Sequence, residues 1–361
     1  MKSRVQSLEF YITERNISMK IERNTFKDCK GNSFQVTVLT IGGKRPGPVF
    51  TIISGQHGME HSGPCFLPEL AEELDQTDIA GTVHICPCAN PGALAMDYEF
   101  YPEREDLSLI KDYFYSRFRH EYSPWGIGRD EANTDYNMNR LWTKTGKGIA
   151  YDITGWLWKN YVEQADLTLD IHCAQQPLPF IINDFPKNNP LIAVTGIELS
   201  IPCSPPKDDY SAGTLSYQSS KREGRYGFVI EFGIQHGLKD YEYPIGKNAV
   251  KNLMIKMGML DAKPILGPHP TYSLPEVEDE GNSTPFEASH FGHVRYFVEP
   301  CVPVKKGTLL YEVRDIQTLE VLERGTAPYD GIIWRKTYKP LAEPGERLFC
   351  FYKPIEFTAE F

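Results

Sequence analysis

Four apolar runs in this chain each stop on a polar, chemistry-bearing residue, and that pattern constrains the fold more than any other feature. Val49 to Ile53 in PVFTIISGQHG runs into His57 and Glu60. GTVHICPCANPG runs into Asn90, ADLTLDIHC into His172, and RYGFVIEFG into Glu231. Short apolar runs rich in β-branched residues and bounded by Gly or Pro read as buried strands. GPCFLPELAEELDQ, between the first two, carries a helical pattern, so strand, helix and strand alternate as in an α/β sheet. In such sheets ligands bind at the carboxyl ends of the strands. The polar groups of all four runs are expected at that one edge.

The remaining chain sorts around this centre. Residues 1–48 read as β-rich, ending in FQVTVLTIGG. Residues 98–148 are polar, aromatic and rich in turn formers, and read as a long surface excursion. Helices are expected at YDITGWLWKNYVEQ and AVKNLMIKMGML, the latter with a Gly in its last turn. After Lys263 four prolines punctuate a polar stretch, and short strands and turns follow. We expect an α/β unit over 1–265, a mixed central sheet flanked by helices, and a small all-β domain over 266–361. His290 and His293 fall in that small domain as ordinary residues.

Composition excludes some classes. The 361 residues are 41% hydrophobic, enough for a large core, and carry a net charge of −10. That acidity argues against a nucleic-acid partner. No apolar stretch is long enough to span a membrane, and the start, MKSRVQSLEFYITERN, has no apolar segment of a secretory signal. The eight cysteines are therefore read as reduced thiols of a cytoplasmic protein. Cys86 and Cys88 read as small buried residues on one face of a strand. Self-association into a homo-oligomer is left open.

SGQHGMEHSGP holds two readings. A catalytic zinc takes three protein ligands and keeps a position open. His57, Glu60 and His172 supply that set, one zinc per chain. A carboxylate just outside it, Glu231, is then the natural base for water. Asp170, two residues before His172 and on the same strand face, would accept the imidazole N–H, and His61 would hydrogen-bond beside the ligands. The other reading is H-x-x-E-H, with His57 and His61 as ligands and Glu60 as base. That motif needs a helix, whereas Gly55, Gly58 and Gly63 each cost about 1 kcal/mol in a helix interior and favour a loop. It would also leave His172 without a role.

The ordered segments GQHGMEHSG, ANPGA, DYNMNR, LDIH, VIEFG and GKNAVKNLMIKMGML, with KKGTLLYEVRD and APYDGIIW behind them, resemble the succinylglutamate desuccinylase/aspartoacylase family of the zinc carboxypeptidase superfamily. The resemblance runs over about residues 35–350. It implies zinc on His57, Glu60 and His172, Glu231 as the base that activates water, and Asn139 and Arg140 binding a carboxylate of a small-molecule substrate; Asn90 is grouped with them. Arg suits that task through its planar fork. The family also carries an arginine for the oxyanion about nine residues after the Asn-Pro turn. Here Glu99 stands near that place, and Arg104 and Arg129 are the nearest candidates. The expected activity is amide hydrolysis of an N-acylated amino acid or related carboxylate. A carboxypeptidase acting on a peptide is the alternative within enzymes, and a non-catalytic binding member of the fold the alternative outside them.

Overall fold

The computed structural model describes residues 19–96, 137–174, 178–203, 206, 208–209, 211–237, 239–275, 283–334 and 340–361. The strands of its main sheet are β1 (Lys20–Lys27), β2 (Ser33–Gly42), β3 (Arg45–Ser54), β4 (Ala80–Cys86), β5 (Leu167–Cys173), β6 (Phe180–Asn183), β7 (Leu199–Pro202), β8 (Tyr226–Phe232), β9 (Thr271–Ser273) and, from the end of the chain, β17 (Ile355–Phe357). They lie in the order β1-β2-β4-β3-β5-β8-β6-β7-β9-β17. The four strands that end in polar groups, β4, β3, β5 and β8, are neighbours and parallel. Antiparallel β2 and β6 flank them, so the sheet is mixed, as expected.

From β3 the chain passes through helix α1 (Ser62–Asp75) to β4 on one side, then returns to β5 on the other. The winding direction reverses between β3 and β5, and crevices for ligands open at such switch points.

Side-chain alternation explains how β5 is held. Leu167, Leu169, Ile171 and Cys173 join the core on the face covered by α1 and by α6 (Glu242–Lys256). Thr168, Asp170 and His172 occupy the opposite face, as the two-residue period of a strand requires. That side is covered by α3 (Ile149–Leu157) and by α5 (Leu215–Ser220), around a second core containing Ile53, Met138, Trp142, Ile153 and Leu215. Each fully buried Leu or Ile contributes about 1.5–3 kcal/mol. The short helices α2 (Pro91–Met96) and α4 (Asn189–Ile192) complete the set.

Helix α6 differs from its expected extent. It starts seven residues before Ala249, with Pro244 in its first turn, where a missing N–H does no harm. It ends at Lys256, and Gly258 lies beyond it with φ +71°, a left-handed terminator that glycine adopts freely. The helix expected over YDITGWLWKNYVEQ ends at Leu157 and continues as a π-turn, Trp158–Val162. Cys86 closes β4, whereas Cys88 lies in the following turn with its Sγ 3.9 Å from the Gly55 carbonyl.

The later strands β10 (Ser283–Glu287), β11 (Gly292–Tyr296), β12 (Leu309–Arg314), β13 (Val321–Thr326), β14 (Ile332–Trp334), β15 (Leu341–Ala342) and β16 (Arg347–Tyr352) form two antiparallel sheets, β10-β16-β14 and β13-β12-β11-β15. Phe349 and Phe351 fill the core between them. Trp334 meets Phe180 of the main sheet at 4.8 Å between ring centroids. β9 and β17 both belong to the main sheet although they follow residue 265. His290 and His293 lie exposed on this region, His290 Nδ1 3.1 Å from Glu323. No described helix is long and apolar enough to cross a membrane, and all eight cysteines are free thiols.

Candidate active site

At the end of β3 the chain turns sharply at Gly55, whose φ is +62°; a Cβ there would sit 2.9 Å from the Cys88 backbone. Residues 55–61 form a loop, and α1 begins only at Ser62. The helix required by H-x-x-E-H is therefore absent at these residues. α1 presses its first turn against the sheet: a Cβ on Gly63 would lie 1.8 Å from Ser54 Oγ.

The loop delivers His57 and Glu60 beside the end of β5. His57 Nδ1 lies 2.8 Å from Glu60 Oε1, and His172 Nδ1 lies 2.7 Å from Glu60 Oε2. All three residues are buried, and one ligand atom from each falls within 4.8 Å of the others. The outer ring nitrogens are also anchored. His57 Nε2 is 3.1 Å from Asn137 Oδ1, and His172 Nε2 is 2.9 Å from Asp170 Oδ1. An imidazole that donates its Nε2 proton outward points an Nδ1 lone pair inward. With those protons outward, the two Nδ1 lone pairs face the Glu60 carboxylate, an arrangement of acceptors that a cation would satisfy. The donor set thus fits a divalent metal, and the outward bonds are of the kind that orient metal-binding histidines.

Electrostatics agree. Burial alone would raise the Glu60 carboxyl, but the charges and hydrogen bonds of His57 and His172 outweigh it and hold the group well below the usual carboxylate range. Burial would lower His172, yet Asp170 and Glu60 raise it well above an ordinary histidine. Without a metal, protons fill the same role.

Glu231, at the end of β8, is paired in register with His172 and is buried. Neighbours in register share a sheet face, so its carboxylate flanks the His172 side of the cluster. His61 does not join it. It stands half-buried at the N-cap of α1 and makes no side-chain cap bond there.

The sequence model of the succinylglutamate desuccinylase/aspartoacylase catalytic domain matches residues 46–256, more than half of the chain and all four polar-ended strands. The chain belongs to this family. Membership places it among hydrolases that remove acyl groups. No curated protein sequence matches. Among solved structures, a succinylglutamate desuccinylase/aspartoacylase from Rhodobacter sphaeroides shares 15% identity at a TM-score of 0.62, over 93% of this chain and 96% of the other. An aspartoacylase family protein from Mesorhizobium loti gives 16% and 0.62, over 93% and 95%. The product-bound ectoine utilization protein of Ruegeria pomeroyi gives 18% and 0.59, over 92% and 94%. At these identities the likeness is one of fold.

The residues that the family resemblance implied for substrate lie close by. Asn139 Nδ2 is 3.0 Å from His172 Nε2, and its Oδ1 accepts from Leu215 N at 2.9 Å. Arg140 follows it, half-buried, its Nη1 donating to the Asn139 carbonyl at 2.6 Å. Asn90 donates from its amide to the Gln56 carbonyl at 3.1 Å and caps Ala93 N at 3.2 Å, which ties the loop to α2. Glu99, Arg104 and Arg129 lie outside the described residues.

Two contributors were not picked out in the sequence. Asn137 orients His57, as above. Gln56 bridges Trp142 Nε1, at 2.8 Å, to Asp170 Oδ1, at 2.6 Å, and so fixes the carboxylate that holds His172. Their positions offered one clue: Gln56 precedes His57, and Asn137 lies two residues before Asn139.

Proposed function

We propose that this chain is a zinc-dependent amidohydrolase that removes an acyl group from a small N-acylated amino acid or related carboxylate. The observation that carries the reading is the buried His57–Glu60–His172 cluster with Glu231 in register beside it. Zinc bound by the three ligands supplies Lewis-acid chemistry, polarising a carbonyl oxygen and acidifying water.

The chain's own residues do the rest. Glu231 accepts the proton of the attacking water and returns it to the leaving amine. Asp170 and Asn137 hold the two imidazoles with their Nδ1 atoms inward. Arg140 offers its guanidinium to a substrate carboxylate, and Asn139 sets the position of that arginine beside His172. Asn90 serves the site by tying the metal loop to α2. Arg104 and Arg129 remain the candidates for oxyanion contact.

The test is hydrolysis of a panel of N-acetyl, N-succinyl and N-formyl amino acids by the zinc-loaded full chain and by Glu231→Gln. The reading expects release of the free amine by wild type and a loss of about 10²–10⁴-fold in Glu231→Gln, with zinc content unchanged. Equal hydrolysis by both would remove Glu231 from the mechanism.

A further inference from the structure

We propose that the stretch following β8, through Gly233, Gln235, His236 and Glu242, is a positioning clamp that locks the metal-ligand segments to the strand carrying Glu231. The inference rests on the reading of His57, Glu60 and His172 as a metal site.

β3 and β8 are not neighbours, because β5 lies between them. Glu60 and Glu231 therefore share no ladder hydrogen bonds, and something beyond the sheet must fix the loop after β3 relative to the end of β8. The chain after Glu231 crosses that gap. Gly233 N donates to Glu242 Oε1 at 2.7 Å, and Ser62 Oγ donates to Glu242 Oε2 at 3.0 Å. One carboxylate, 0% exposed, thus joins the residue two past Glu231 to the residue two past Glu60. His236 N donates to the Met59 carbonyl at 2.8 Å, directly before Glu60. Gln235 Nε2 donates to the Cys173 carbonyl at 2.7 Å, directly after His172. Both ligand-bearing segments, the loop after β3 and the end of β5, are thus held to the stretch after β8.

The chemistry suits a rigid clamp. Hydrogen bonds to a carboxylate are roughly twice as strong as neutral ones, and Glu242 sits in the first turn of the long helix α6, where the helix dipole favours its charge. His236 adopts φ 55°, a left-handed conformation uncommon outside glycine. Such local strain persists only where the surroundings impose it and is concentrated at functional sites. Misplacement of a catalytic group by about 1 Å can cost 10²-fold, which gives the clamp its value.

The experiment uses cobalt(II) as the probe on the metal-free full chain. Visible absorption reports ligand geometry, and chelator competition reports affinity. The variants are His172→Ala, Gln235→Ala, Ser62→Ala and Glu242→Gln, with circular dichroism confirming the fold. The wild type is expected to bind one cobalt with a visible band that His172→Ala abolishes. Gln235→Ala and Ser62→Ala are expected to bind at least 10-fold more weakly, with a shifted band. Glu242→Gln is expected to keep the wild-type band and to lose less affinity than Ser62→Ala, because its amide can still accept from Gly233 N and pair with Ser62 Oγ while lacking the carboxylate's charge. A contribution to folding alone would lower thermal stability and leave the band in place. Folded Gln235→Ala and Ser62→Ala with wild-type affinity and band would overturn the clamp while leaving the metal site standing. Gln235 is only half-buried, so if Ser62→Ala does not fold, Gln235→Ala decides alone. Failure of the wild type to bind cobalt would overturn the metal reading and the clamp together.

Discussion

His172 and Glu231 are register partners on the adjacent parallel strands β5 and β8. A candidate metal ligand and a candidate base are thereby set side by side by backbone pairing. Two strands that run in parallel and stop together bring any two terminal side chains of the same phase to one edge. The consequence for register is testable. Glu231→Asp shortens the side chain by one methylene without disturbing the strand, and is expected to reduce kcat on N-acyl amino acids by about 10-fold or more, with KM and zinc content little changed. Steady-state kinetics on the zinc-loaded protein check this; an unchanged kcat would mean that Glu231 does not act at the reacting atoms.

Asp170 supports His172 through its Nε2 at 2.9 Å. Removing such a partner typically costs 10–100-fold in metal affinity. Asp170→Asn is expected to fall in that range by zinc competition titration, while Asp166→Asn, at the other end of the strand, leaves zinc affinity unchanged.

Asp184, at the end of β6, is raised from 3.8 to about 6, chiefly by burial, with the charge of Asp170 adding to it and a Ser216 hydrogen bond opposing it. Between these two values the folded chain keeps a proton that the unfolded chain releases. Stability from this group therefore falls as pH rises through that window, and the penalty persists above it. Asp184→Asn is expected to stabilise the protein by about 1–3 kcal/mol at pH 7.5 and to have little effect near pH 3.5. Thermal unfolding at the two pH values measures the difference; equal effects at both would contradict the assignment.

Gly63 has no room for a side chain, since its Cβ would lie 1.8 Å from Ser54 Oγ and 2.9 Å from Ile171 Cγ2. Gly63→Ala is expected to destabilise by about 1–3 kcal/mol through overpacking. Adding Ser54→Gly should restore part of the loss, because it clears the nearest clash. A Gly63→Ala midpoint equal to wild type would show that α1 is not pressed against the sheet in this way.

How far the sequence disclosed this molecule depended on how local each signal was. LTLDIHC declared its own two faces, because three polar residues alternate with four apolar ones and the two-residue period sends the two sets to opposite sides. The four polar strand ends announced the site for the same reason. Asn137 left no such trace. It meets His57 across 80 positions, and an asparagine in a loop has no period to betray a partner. Gln56 and Glu242 are alike in this respect: each works through a contact made by tertiary packing. β9 and β17 are three residues long, too short for alternation to register, so their return to the main sheet was legible only in the structure. The end of α6 turned on Gly258, which reads as a helix residue in a string and as a left-handed terminator in space.

The most direct test of the account is zinc per chain in wild type, His61→Ala and His172→Ala, each checked for folding. One zinc is expected in wild type and in His61→Ala, and its loss in His172→Ala. Zinc kept in His172→Ala but lost in His61→Ala, or none in wild type after supplementation, would contradict it.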